Sequence, residues 1–359
     1  MRIADAPSGR ITLLEASKIP TRDTWPPLFY PFAADALRAP PESARGLYLG
    51  AVPALPIPPA LRCGWTLVQG FRPDYLKLRD SGAHVLPAAE GDGYDLALGL
   101  AGRHRGENEA RLAEAARRVR DGGLIVMAGG RTDGIASLRK RLPENVPVAG
   151  HLSKNHGEVF WIYASPKIAE HLAGLDAGRR EALPLVEGRF RAAPGMFSHD
   201  RVDLGSRLLA GHLPADLAGE AADFCAGWGY LSVRLAEAAP GIGAIDLYEA
   251  DHASLDAARL NLAGSGKARD FFWQDLAAEP VGRRYDAIVM NPPFHQGRAA
   301  DPGIGTALIA AASRALKPGG ELFMVANRQL PYEETLRRGF SKVWKLAEEA
   351  GFKVFRARR

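Results

Sequence analysis

The chain has 359 residues, 47% of them hydrophobic and 24% charged, with a formal net charge of +5 and a sequence pI of about 9.2. This is a globular composition, which excludes a disordered or fibrous protein, and the length suits two cores better than one. Two cysteines, Cys63 and Cys225, are too few for a disulfide framework, no spacing suggests a metal site, and no run reaches the roughly 18 apolar residues of a membrane span, so a cytoplasmic protein with no metal and no membrane partner is expected.

In chain order, residues 1–45 contain several prolines and little periodicity and read as an irregular lead-in. Apolar runs at 47–51, 66–69, 83–86, 95–100, 124–128 and 159–164 then read as short strands, and 107–119 and 134–142 show helical spacing. Such alternation argues an α/β sheet. The pattern recurs: Tyr94-Asp95-Leu96-Ala97 returns as Tyr285-Asp286-Ala287-Ile288, and Asp121-Gly122-Gly123-Leu124 returns as Pro318-Gly319-Gly320-Glu321, with a helix between the two segments each time. A tandem duplication follows, with one copy over 1–165, a charged, alanine-rich linker over 166–185 and a second copy over 186–359. The fold class expected is α/β, two tandem Rossmann-like domains.

The copies differ where chemistry would sit. After its first strand the N-terminal copy reads Gly50-Ala51-Val52-Pro53-Ala54-Leu55-Pro56, with prolines in place of the glycines that a cofactor loop needs, and Leu100 stands where the second copy has Asn291. The first copy is therefore expected to be degenerate, serving as a scaffold or substrate platform. In the second copy, Asp223-Phe224-Cys225-Ala226-Gly227-Trp228-Gly229 lies between an apolar strand and a helical run at 230–239, the nucleotide-binding start of a Rossmann-like sheet. Glu249 follows twenty residues after Gly229, where a carboxylate accepts from ribose hydroxyls, and Asp275 ends the next strand, within reach of an adenine amine. Asn291-Pro292-Pro293-Phe294 closes the strand 285–290. Its two prolines lack N–H donors and stiffen the backbone, leaving the Asn291 and Pro292 carbonyls to accept from an exocyclic NH2 group while Phe294 stacks on a planar ring. A glycine turn alone is as often purely structural, but four polar groups at four successive strand ends are not explained that way.

This order of groups resembles the class I S-adenosylmethionine-dependent methyltransferases, in their amino-methylating branch. The stretch Gly195-Met196-Phe197-Ser198-His199-Asp200-Arg201-Val202-Asp203-Leu204-Gly205-Ser206-Arg207-Leu208-Leu209 narrows the resemblance, together with Asn291-Pro292-Pro293-Phe294-His295, Val325-Ala326-Asn327, Leu330-Pro331-Tyr332 and Gly351-Phe352-Lys353-Val354-Phe355. It is similar to the bacterial ribosomal RNA small subunit methyltransferase C family, whose members make N2-methylguanine in 16S RNA. The resemblance implies S-adenosylmethionine held by Phe197, Asp203, Asp223, Cys225, Gly227, Gly229, Glu249, Asp275 and Asn291, with Asn291, Pro292 and Phe294 catalytic. It also implies ribosomal RNA or the small ribosomal subunit as partner, and a monomer. The large-subunit guanine-N2 enzymes share these motifs, and adenine N6 or a protein glutamine amide are alternative amines, for which tyrosine is preferred at position 294. At Cys225 the family has glycine, so the backbone there is expected to avoid a positive φ. Tyr332 is either a pocket residue or a core tyrosine.

The basic surplus lies mostly in the first half, with 24 basic and 20 acidic residues up to Leu185 against 22 and 21 after it. Clusters such as Arg117/Arg118/Arg120, Arg139/Lys140/Arg141 and Arg356/Arg358/Arg359 read first as solvated faces and second as RNA contacts.

Overall fold

A computed structural model describes residues 27–293, 295–296, 299–300 and 302–359. The first half runs α1 (Tyr30–Ala33), β1 (Arg45–Leu49), β2 (Gly64–Val68), α2 (Arg72–Asp80), β3 (Val85–Leu86), β4 (Tyr94–Leu100), α3 (Arg105–Arg118), β5 (Val119–Gly130), α4 (Ile135–Lys140), β6 (Gly150–Lys154), β7 (Gly157–Tyr163) and α5 (Pro166–Ala182). The second runs α6 (Leu204–Ala210), β8 (Ala218–Phe224), α7 (Tyr230–Ala238), β9 (Gly241–Glu249), α8 (His252–Leu262), β10 (Ala268–Trp273), β11 (Tyr285–Met290), β12 (His295–Gln296), β13 (Ala299–Ala300), α9 (Pro302–Ala315), β14 (Leu316–Asn327), α10 (Tyr332–Gly339), β15 (Lys342–Glu349) and β16 (Phe352–Arg358).

Each half builds a seven-stranded sheet, and the two orders are the same: β3-β2-β1-β4-β5-β7-β6 and β10-β9-β8-β11-β14-β16-β15. The first five strands of each order are parallel, and the sixth pairs antiparallel with both of its neighbours. The central strands β4 and β11 are buried along nearly their whole length, as parallel strands must be when helices cover both faces. Two hydrophobic clusters flank each sheet, one per face. The duplication read from the repeated sequence is thus a duplication of fold.

The stretch expected as a linker, 166–185, is mostly helix α5. Ser165 caps it, its side chain accepting from the Ile168 amide, Pro166 opens it, and Ile168 and Leu172 are buried in the first half's core beside α3. The expectation failed because only one narrow apolar stripe interrupts the alanine, glycine and charge.

Among the described residues the halves meet at the starts of α2 and α3. Gly70 and Arg72, at the start of α2, pair with the backbone just beyond β9: the His252 amide donates to the Gly70 carbonyl at 3.0 Å, and the Arg72 amide to the Ala250 carbonyl at 2.8 Å. The Trp273 indole N–H donates to both the Gly70 and Ala250 carbonyls, at 2.9 and 2.8 Å. At the start of α3, the backbone of Gly106 approaches Pro194 so closely that a Cβ would lie 2.8 Å from Pro194 Cγ, and His104 stacks edge-on against His199.

Candidate active site

Strands β8 and β11 are parallel neighbours with Phe224 opposite Met290. The residues that follow them, Cys225 and Asn291, therefore emerge side by side in the crevice where the strand order reverses, the place where ligands bind in open α/β sheets. A cavity there is lined by Phe197, Asp203, Ser206, Cys225, Gly227 and Asn291, among others. Five of these were expected from sequence. Ser206 was not.

Asn291 is held rigidly. Its amide nitrogen donates to Asp203 Oδ2 at 3.0 Å and to Ser206 Oγ at 2.8 Å, and Asp203 Oδ2 also accepts from the Ser206 backbone amide at 2.8 Å as the N-cap of α6. Because a carboxylate only accepts, the amide orientation is determined: nitrogen toward α6, carbonyl oxygen Oδ1 left for a ligand. Ser206 could have been suspected from its place three residues after a capping aspartate, but nothing local says that this helix start packs on Asn291. Pro292 is buried and Pro293 exposed, and Phe294 lies outside the described residues.

The turn after β8 carries strain and negative charge. Cys225 takes φ +62°, contrary to the expectation from its Cβ, and this left-handed conformation costs about 1–2 kcal/mol in a non-glycine residue. Gly229 caps α7 at φ +88°, and a Cβ there would stand 2.6 Å from Leu262 Cδ1. Asp223 does not reach the cavity: it is wholly buried under the turn, Oδ2 accepting from Ser232 Oγ at 2.7 Å and Oδ1 without a hydrogen-bond partner among the described residues. Glu249 accepts from the Gly227 amide at 2.7 Å and from the Asp251 amide at 2.8 Å, one bond per oxygen, so each oxygen keeps a lone pair for a ligand hydroxyl. Asp275 Oδ1 accepts from the Ala277 amide at 3.0 Å. Neither Glu249 nor Asp275 lines the cavity itself; they stand at and just beyond the carboxyl ends of β9 and β10.

Burial pushes the Glu249 carboxyl up to about 7. Burial, reinforced by the charge of Glu249, brings Asp223 to about 7 as well, against the lowering effect of Ser232. The Cys225 thiol is pushed well above its usual value by burial and then by Glu249, Asp223 and Asp275. A turn backed by carboxyl groups presents acceptors and partial negative charge, which disfavours a pyrophosphate and suits a ligand with cationic groups and hydroxyl and amine donors, the chemistry of S-adenosylmethionine. The donor set fits that cofactor.

The family model of the methyltransferase small domain matches residues 187–356. A ribosomal RNA small subunit methyltransferase C of Pseudomonas aeruginosa (strain LESB58) is 34% identical over 251 residues, covering 69% of this chain and 74% of that one. The chain belongs to the ribosomal RNA small subunit methyltransferase C family. A namesake from Escherichia coli (strain K12 / DH10B) is 35% identical over 196 residues, 51% of this chain and 57% of that one. Among solved structures, the T. thermophilus 16S rRNA N2 G1207 methyltransferase in complex with AdoMet and guanosine superposes with a TM-score of 0.68 at 26% identity, covering 89% of both chains. The protein is an S-adenosylmethionine-dependent rRNA methyltransferase.

In this methyltransferase the first copy keeps the crevice and fills it. Leu49 lies opposite Gly99, so Gly50 and Leu100 occupy the places of Cys225 and Asn291. Arg111, from α3, reaches into that space: its guanidinium donates to the Leu100 carbonyl and, at 2.7 Å, to Glu107, and a Cβ on Gly50 would lie 2.9 Å from Arg111 Cζ. A cation of the protein's own stands where the second copy leaves room. The basic clusters are also largely engaged: Arg117 and Arg118 pair with Glu114, Arg120 with Asp95, Arg139 with Glu158, and Arg356 and Arg358 with Glu321. Tyr332 is 1% exposed, in the core on one face of the second sheet, and is no pocket residue.

Proposed function

We propose that this protein methylates the exocyclic N2 amine of a guanine in 16S ribosomal RNA, and that Asn291 is the group that receives the amine. The observation that carries the reading is the anchoring of Asn291 by Asp203 and Ser206, which commits its amide nitrogen and presents a carbonyl oxygen. A carbonyl acceptor selects an NH2 group over a hydroxyl-free carbon or a ring nitrogen lacking hydrogen. Guanine N2 is a weak nucleophile because its lone pair delocalises into the ring; hydrogen bonds from the amine to Asn291 Oδ1 and the Pro292 carbonyl favour a pyramidal nitrogen. Bound S-adenosylmethionine supplies an electrophilic sulfonium methyl. Displacement then depends chiefly on alignment. Asn291 takes no proton, so the amine proton passes to solvent after transfer. Unstacking the base costs a few kcal/mol, less in a loop, and stacking on Phe294 would return about 1–3 kcal/mol.

In this reading the turn at Cys225 to Gly229 faces the methionine portion, Glu249 holds the ribose and Asp275 the adenine. No second copy is needed to complete this set of groups, so the protein is proposed to act as a monomer, and a ribosomal substrate supports work in the cytoplasm. Nucleoside mass spectrometry on separated 16S and 23S RNA from cells lacking the protein tests the proposal. Loss of one N2-methylguanosine from 16S is expected, and the guanine modified by the T. thermophilus relative, G1207, is the first position to map. Loss from 23S, or a missing N6-methyladenosine with unchanged guanosines, would defeat it.

A further inference from the structure

The same N-terminal half that has lost its own ligand space touches the second half at the loops that frame the adenosine end of the proposed cofactor site. Arg72 makes a two-pronged pair with Glu279, Nε to Oε2 at 2.9 Å and Nη2 to Oε1 at 2.7 Å, and its guanidinium lies over the Trp273 ring, 4.6 Å from the centroid. Glu279 Oε2 also accepts from the Asp275 amide at 2.9 Å, while the Glu279 amide donates to the Asp275 carbonyl at 2.7 Å. One cation from the first copy therefore fixes the turn that bears Asp275. A few residues away, Gly70 and the Arg72 amide pin Ala250 to His252, the segment whose Asp251 amide orients Glu249 Oε1. The Gln274 amide donates to the Glu249 carbonyl at 2.9 Å, which ties the two acidic positions together.

We infer that Arg72 and Glu279 are positioning residues for cofactor binding: the degenerate copy completes the adenosine half of the site in the catalytic copy. This rests on the proposed roles of Glu249 and Asp275. Both residues are three-quarters or more shielded from solvent, so the pair is not an ordinary exposed ion pair, and the planar fork of arginine is needed to bind both carboxylate oxygens while lying on the indole. A lysine supplies the charge without the fork. The interface reaches the far end of the site too, because a Cβ on Gly195 would meet Glu107 Oε2 at 3.1 Å, and the Phe197 carbonyl beyond it accepts from Trp228 at 3.0 Å. The arginine pair differs in acting only on the adenosine side.

The test uses the full chain and calorimetry with two probes, S-adenosylmethionine and adenosine, on wild type, Arg72→Gln, Arg72→Lys and the exchanged pair Arg72→Glu with Glu279→Arg. Both glutamine and lysine variants should lose affinity for both probes by about tenfold, within the usual range for coupled sites, while kcat at saturating cofactor stays within about twofold. The exchanged pair should recover part of the loss. Thermal unfolding of the cofactor-free variants separates positioning from general damage: an affinity loss that simply tracks a lowered Tm, with kcat falling in step and no recovery in the exchanged pair, overturns the inference. So does unchanged affinity in Arg72→Gln. If wild type itself binds no S-adenosylmethionine, the proposed function fails first, and that outcome is read from the wild-type titration alone.

Discussion

On the roles proposed above, Asn291 meets the amine and Glu249 the cofactor, and substitutions should separate them. Asn291→Ala removes the acceptor of the amine and should lower kcat by about 10²–10³-fold, the scale for one lost donor or acceptor in a preorganised site, with cofactor affinity nearly unchanged by calorimetry. Equal loss of affinity would place Asn291 in cofactor binding instead. Glu249 and Asp223 give a pH dependence of opposite sign for the free and bound protein. Both carboxyls are raised to about 7 in the folded state, above their unfolded values near 4, so their contribution to stability is fully present below about pH 4 and is lost progressively as pH rises from there to about 7. The two are coupled through space, and the transition belongs to the pair. Ribose hydroxyls are held better by the ionised form of Glu249, so affinity should strengthen between about pH 6 and pH 8, whereas the cofactor-free Tm should fall over about pH 4 to 7 and level off above it. A Kd flat across that range would remove Glu249 ionisation from binding. Cys225→Gly relieves a left-handed non-glycine residue but loosens the unfolded chain, for a net gain of about 0.5–1 kcal/mol in denaturant unfolding.

The element that orients Asn291 is short. Helix α6 has seven residues, yet its N-cap carboxylate is also the group that turns Asn291, so one side chain serves local structure and chemistry together. Ser206→Ala removes only one of the two acceptors of the Asn291 amide and should cost less in kcat than Asn291→Ala, without the roughly 1 kcal/mol of stability that loss of the cap in Asp203→Ala adds. Steady-state kinetics beside denaturant unfolding measures both. Helix α5 carries a different prediction, since it belongs to the first core rather than to a tether. Leu172→Ala should destabilise the protein by about 2–4 kcal/mol, as core leucines do, and a substitution free of effect on Tm would return 166–182 to the status of a linker.

At the scale of the molecule, duplication has given two equal sheets with unequal crevices. Arg111 fills the first and the second is open, so calorimetry on the full chain should find one equivalent of S-adenosylmethionine per chain; two equivalents would mean that the arginine yields. If the first half meets RNA, it does so through cations that are not already committed. Arg139 is paired with Glu158, while Lys140 and Arg141 remain exposed beside it. Salt dependence of RNA affinity, not charge count, decides how many of them meet phosphate.

The sequence by itself determined the two α/β copies, the order of candidate ligand groups along the second and the loss of glycines from the first, because strands buried on both faces, Gly-rich turns and proline pairs are local signals. It also sufficed to point to the family, through motifs spread from Gly195 to Phe355. It misjudged 166–185, where one narrow apolar stripe could not be weighed without the helix it packs on, and Cys225, where the surrounding turn holds a backbone conformation that its own Cβ opposes. Only the tertiary structure decided that Asp223 lies beneath the turn rather than in the cavity, that Ser206 orients Asn291 across 85 positions of sequence, and that Arg72 meets Glu279 across 207. Those contacts join residues far apart in the chain, and no periodicity within either segment encodes which surface the other will cover.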